Sequence, residues 1–193
     1  MKLLALILFS SLAWGACASP PYANGYHFCR EITIDHTKVP STQTNFPVGI
    51  CLDASMGSNC SANSKELATL AHGGKLFNSS GFDFIITSDN AGTTPIAYER
   101  SIQNLTTGAS ELWVLIASLS SSVDTKIYLF YQNPSITTDQ SNRTAVWDSH
   151  YKGVHHFTLL SSSDVYTTPV LDSTSNGNNL TPEGFNGQII GGI

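Results

Sequence analysis

Basic side chains are scarce in this chain of 193 residues: nine Lys and Arg stand against 14 Asp and Glu, a formal net charge of −5. Gripping a nucleic-acid backbone needs a cationic surface, so the deficit argues against a partner of that kind. Charge of either sign is thin, at 12% of residues. Ser, Thr, Asn and Gly fill the segments between apolar runs, so solubility rests on hydroxyls and amides. Beyond the N-terminus no stretch is long and apolar enough for a membrane helix. Gly-x-Ser-x-Gly, Cys-x-x-Cys and any sustained helical period are also missing, which removes the signatures of a nucleophile elbow, a redox or zinc pair and a helical bundle.

What is present starts with an export signal. Met1-Lys2 precedes an apolar stretch from Leu3 to Trp14, too short to cross a bilayer and with the basic start of a signal peptide. Ala16 and Ala18 place the cut after Ala18, giving a signal over 1–18 and a mature start at Ser19. Ala13 and Gly15 supply a second cut, after Gly15, that keeps Cys17. Trp14-Gly15-Ala16-Cys17 also reads as a variant lipobox, which would put a lipid anchor on Cys17. The expected location is extracellular, cell-surface or periplasmic. Of the four cysteines, Cys51 and Cys60 are close enough to close a loop after a strand and form the preferred disulfide. Cys29 is then left as a buried thiol, or pairs with a retained Cys17 or a second chain. His27 beside Cys29 makes no zinc spacing.

Alternation of apolar and polar residues predicts strands near Tyr26–Asp35, Phe46–Leu52, Phe82–Thr87, Ile96–Ile102, Glu111–Ala117 and Lys126–Tyr131, separated by turn-forming clusters. The last two are apolar on both faces and should be central. A short helix is expected at Ser64–Ala71. The fold class is all-β: an antiparallel, jelly-roll-like β-sandwich over 22–148, followed over 149–193 by an incomplete second β domain. That second unit is expected to open with a strand at 152–157 and to reach another at 187–193.

Arg30-Glu-Ile-Thr-Ile-Asp-His-Thr-Lys-Val39, Thr44-Asn-Phe-Pro-Val48, Gly81-Phe-Asp-Phe-Ile-Ile-Thr-Ser-Asp89, Leu112-Trp-Val114, Asp124-Thr-Lys-Ile-Tyr-Leu-Phe-Tyr131 and Ala145-Val-Trp-Asp148 follow one another in an order that resembles the bacterial family called domain of unknown function 2341. The resemblance runs from about Cys29 to Gly153. Asp172-Ser-Thr-Ser-Asn-Gly-Asn-Asn179 and Gly187-Gln-Ile-Ile-Gly-Gly192 resemble the opening of a laminin-G or concanavalin-like jelly roll. The resemblance implies secreted or surface proteins, some of them joined to proton-channel subunits of the ExbB/TolQ type, and no agreed activity.

Candidate sites are sparse. Glu31, Asp35, Asp83 and Glu99 are the carboxylates considered for acid–base work. Glu31 and Asp35, both expected on the exposed, solvent face of one strand, are on the order of 13 Å apart, too wide for a glycosidase pair without help from another strand. His36, His72 and His150 offer imidazoles to abundant serines, without a motif that selects one. His155 and His156 are neighbours, which on a strand point to opposite faces and cannot chelate together. Asp172, Asn176 and Asn178 place oxygens in a Gly-containing loop that calcium could use, although an Asx turn gives the same pattern. Ser88-Asp89-Asn90-Ala91-Gly92 reads as a hairpin connection. Trp113, Tyr98, Tyr128 and Tyr131 are the rings available for stacking on sugars, with core packing as the competing reading. The expectation is a non-enzymatic exported module for adhesion or carbohydrate binding, with a glycan or cell-surface polymer as partner and no cofactor beyond that calcium. Alternatives are a periplasmic coupling domain for an ExbB/TolQ-type channel, or an accessory domain of a polysaccharide-degrading enzyme.

Overall fold

The computed structural model describes residues 17–53, 60, 65–157 and 169–181. Among these residues six strands form in chain order: β1 (Phe28–Ile34), β2 (Gln43–Cys51), β3 (Phe84–Thr87), β4 (Tyr98–Gln103), β5 (Ser110–Leu119) and β6 (Thr125–Tyr131). They make two antiparallel three-stranded sheets, ordered β1-β6-β3 and β2-β5-β4. The central strands are β5 and β6, the two that are apolar on both faces.

Alternation sets what faces inward. Ile32 and Ile34 of β1, Phe84 and Ile86 of β3, and Ile127, Leu129 and Tyr131 of β6 meet Val48 and Ile50 of β2, Tyr98 of β4, and Leu112, Val114 and Ile116 of β5 in one buried cluster. Interleaved branched side chains suit the pleated, two-layer geometry. Tyr98, fully enclosed between the sheets, donates its hydroxyl to the carbonyl of Phe84 across the core at 2.9 Å. Burial pushes its phenol far above the ordinary range, so the hydroxyl remains a donor at any physiological pH.

The outer face of β1-β6-β3 is also covered. Tyr26, Ile85, Tyr128 and Phe130 form a second buried cluster on which Cys17, Tyr22, Cys29 and Ile136 pack. Tyr22 meets Phe130 edge-on at a centroid distance of 5.0 Å. A disulfide joins Cys17 to Cys29 and ties this N-terminal segment to β1. A mature start at Ser19 would remove Cys17 from that bond, whereas a cut after Gly15 keeps it, and the sulfur a lipid anchor would need is the one engaged here. A second disulfide joins Cys51, the last residue of β2, to Cys60.

Three expectations are corrected or fall outside. Among the described residues of 64–71 there is no α-helix; the local ordered element is a 3-10 turn at Leu70–His72. Its Cα trace closes at Gly73, whose φ of +76° only glycine adopts easily. Residues 152–157 form no ladder: the Val154 N–H goes to the Asp172 carboxylate and its carbonyl accepts from Ser173 N–H, while the His155 and His156 rings bond Asn178 and Glu99. The strand expected at 187–193 lies outside the described residues.

Candidate functional site

Two polar assemblies flank β4, one on its outer face and one along its free edge. The outer-face assembly starts from a single rung across the β2-β5-β4 sheet, Gly49 to Trp113 to Glu99. Gly49 leaves room for the indole: a Cβ there would stand 3.3 Å from Trp113. Trp113 stacks on His156 and tilts against Trp147, with ring centroids 5.7 and 5.3 Å away. Its Nε1–H goes to Glu111, which also accepts from the Ser101 hydroxyl at 2.6 Å.

Glu99 lies beneath these rings, 5% exposed. Oε2 accepts from Trp147 Nε1 at 2.7 Å and meets His156 Nε2 at 3.1 Å, while Oε1 accepts from the Ser173 hydroxyl. Burial alone would raise its pKa; the bonds from His156, Ser173 and Trp147 outweigh that and hold it below the ordinary value. These groups do not form a nucleophile relay. Ser173 donates to the carboxylate and not to the imidazole, so the three do not line up in the order Ser–His–acid.

The free-edge assembly is a cleft of about 370 Å³ beside β4. The segment after Thr138 runs along this edge, with Asn142 N–H donating to the Tyr98 carbonyl at 2.9 Å. Arg100 forms the cleft's back wall. One nitrogen, Nη1, donates to Gln103 Oε1 at 2.7 Å and reaches the Ser80 and Gly81 carbonyls; the other, Nη2, pairs with Asp139. The guanidinium lies over Phe82, 5.1 Å from the ring centre. Its buried Nε has no hydrogen-bond partner among the described residues. Gly81 makes this wall fit: its φ is +68°, and a Cβ would come within 2.5 Å of both Gln103 and Leu105. Burial opposes the charge on Asp139, but the Ser141 N–H and Arg100 prevail and lower its pKa. Ser80, Ser141, Leu105, Arg143 and Glu99, which the two assemblies share, complete the lining.

The residues singled out from sequence are scattered. Glu31 does face outward from β1, yet its side chain is only 3% exposed, paired with Lys126 at 2.9 Å. Asp35 lies past the strand end, capping the 3-10 turn His36–Lys38 through Thr37 N–H. Asp83 is fully buried and accepts from the Phe77 and Asn78 amides at 2.7 and 3.1 Å, a loop-fixing role. Asp89 accepts from Ala91, Thr93 and Thr94 and closes its turn. His72 Nδ1 meets the Thr69 hydroxyl at 2.8 Å within one turn, and His150 pairs with Asp148. His155 bonds the Asn178 carbonyl while His156 bonds Glu99, so the adjacent histidines serve different partners.

Asp172 is buried, and both its oxygens are taken. Burial would raise its pKa, but donors from Val154 N–H, Thr174 N–H and hydroxyl, and Asn178 N–H hold it far below the usual carboxylate range. Asn176 and Asn178 turn their amide nitrogens to the carbonyls of Tyr151 and Lys152. The loop is thus closed by its own hydrogen bonds. Among the described residues, Asp35, His36 and Asp124 bring three potential metal-ligand atoms within 4.8 Å of one another; His36 already bonds Asp124 at 2.6 Å through its ring.

Of the four rings considered for stacking, Tyr98, Tyr128 and Tyr131 are buried and Trp113 is covered by His156. The cleft residues Arg100, Gln103, Asp139, Ser141 and Arg143 were not anticipated. A signal existed: Arg100 shares the inward parity of Tyr98, an unusual register for a cation.

A search of family models, curated proteins and solved structures finds no match to this chain. Among the described residues no helix is long and apolar enough to cross a membrane.

Proposed function

We propose that this protein is an exported, non-enzymatic β-sandwich module of a surface or secreted bacterial protein, and that it binds carbohydrate in the cleft along the free edge of β4. The observation that carries this reading is the lining of that cleft. Pockets for apolar ligands are walled by hydrophobic and aromatic side chains; here Ser80, Gln103, Ser141, Glu99, Asp139 and two arginines surround one apolar side chain, Leu105. Amides, hydroxyls and paired charges match a polyhydroxylated ligand, whose many donors and acceptors each need a partner once desolvated. Export is supported by the signal-like N-terminus and by two disulfides, which suit an oxidising compartment. The resemblance to domain of unknown function 2341 agrees with a surface location.

The test is a glycan array probed with the full-length protein, once with calcium and once with a chelator. Binding that is lost on Gln103→Ala supports the cleft as the site. Absence of binding to every glycan in both conditions overturns the reading.

A further inference from the structure

The four charged side chains that line the cleft, Arg100, Arg143, Glu99 and Asp139, balance in sign but differ in how they are held. Arg100 and Asp139 neutralise each other. The Glu99 carboxylate is committed to Trp147, His156 and Ser173. What remains is Arg143, exposed at the rim on the 3-10 turn Arg143–Ala145, with no carboxylate within ion-pair distance among the described residues. Resting on the carbohydrate reading above, we propose that the cleft selects an anionic sugar residue and that Arg143 is the residue that reads the acid group.

The geometry of the side chains supports this division of labour. A guanidinium presents a planar fork of donors that meets both oxygens of a carboxylate, or two of a sulfate ester, in parallel. Ser80 and Ser141 flank the cleft with hydroxyl-bearing side chains, and Leu105 supplies an apolar wall for the C–H face of a ring. Asp139 stays ionised and can accept from a sugar hydroxyl, since its charge is already balanced by Arg100. The protein as a whole carries −5, so it repels polyanions at long range. Retention on an acidic polymer would therefore come from a local cation and not from bulk charge.

The experiment measures the affinity of the full-length protein for three soluble polysaccharides: polygalacturonate, a dextran sulfate and unmodified dextran. Binding to one or both anionic polymers with none to dextran is expected, and the two anionic arms tell a carboxylate from a sulfate. Arg143→Ala, at an exposed position, should weaken that binding about tenfold or more with an unchanged circular dichroism spectrum, and Arg143→Lys should recover only part of the loss because it restores charge without the fork. Equal binding to dextran, or an Arg143→Ala variant with undiminished affinity for the anionic polymers, overturns the acid-selective site while leaving carbohydrate binding in place. Failure to bind any polysaccharide, in this set or on the array, overturns both.

Discussion

The outer faces of the two sheets are covered by segments of opposite chemistry. Over β1-β6-β3 the N-terminal segment lays Cys17 and Tyr22 on Phe130, Tyr128 and Ile85, and a disulfide fastens it. Over β2-β5-β4 the chain after β6 lays Trp147, His156 and Ser173 on Glu99 and Trp113. The first cover is held by apolar area and a covalent link, neither of which depends on protonation. The second depends on a buried carboxylate whose three partners come from 48, 57 and 74 residues away. Two halves of one sandwich should therefore answer differently to mutation and to acid.

The largest effect is expected from Phe130→Ala, which empties the centre of the apolar cover; urea unfolding should show a loss of about 4 kcal/mol. Glu99→Ala tests the opposite face. It leaves the Trp147 and Ser173 donors buried without an acceptor, and a loss of about 3 kcal/mol is expected, with faster hydrogen exchange confined to the amides of residues 170–180. Exchange that spreads evenly over both covers would erase the contrast. Cys29→Ser opens the covalent link and should cost about 3 kcal/mol by loop entropy, seen as a lower urea midpoint and as loss of protection around Tyr22, with Glu99 contacts intact.

Acid gives a sharper separation. The pKa of Glu99 is lowered in the fold, so its contribution is fully present above the unfolded carboxyl pKa of about 4.3 and is lost as pH falls through the lower folded value. Asp172, in the same covering segment, shifts in the same direction. Fluorescence of Trp113 and Trp147 should change in that acidic window, and Glu99→Gln should flatten the Glu99 part of the transition. The smallest effect is assigned to Trp113→Phe, which removes the hydrogen bond to Glu111 while keeping most of the ring; about 1 kcal/mol is expected by urea unfolding.

Much of the sandwich was legible because it depends on period. All six strands were placed by alternation, and the two central ones were identified from apolar residues on both faces. Alternation states which face a residue takes but not what lies above that face. Glu31 was rightly put outward and wrongly taken as exposed, since Lys126 comes over it from β6. Glu99 was likewise placed among the carboxylates, with nothing to announce its burial beneath Trp147 and His156. The expected strand at 152–157 forms no ladder; its polar groups find partners on β4 and in the 172–178 loop.

By itself the sequence determined the all-β class, the strand order along the chain and the residues that turn inward, because these follow from local stereochemistry and a two-residue period. Only the tertiary structure decided which segments close over the sheets, the partner of Cys29, and the meeting of Arg100, Gln103, Asp139 and Arg143 around one cleft. Those contacts join residues from separate segments of the chain, and no local preference encodes the moment at which they come together.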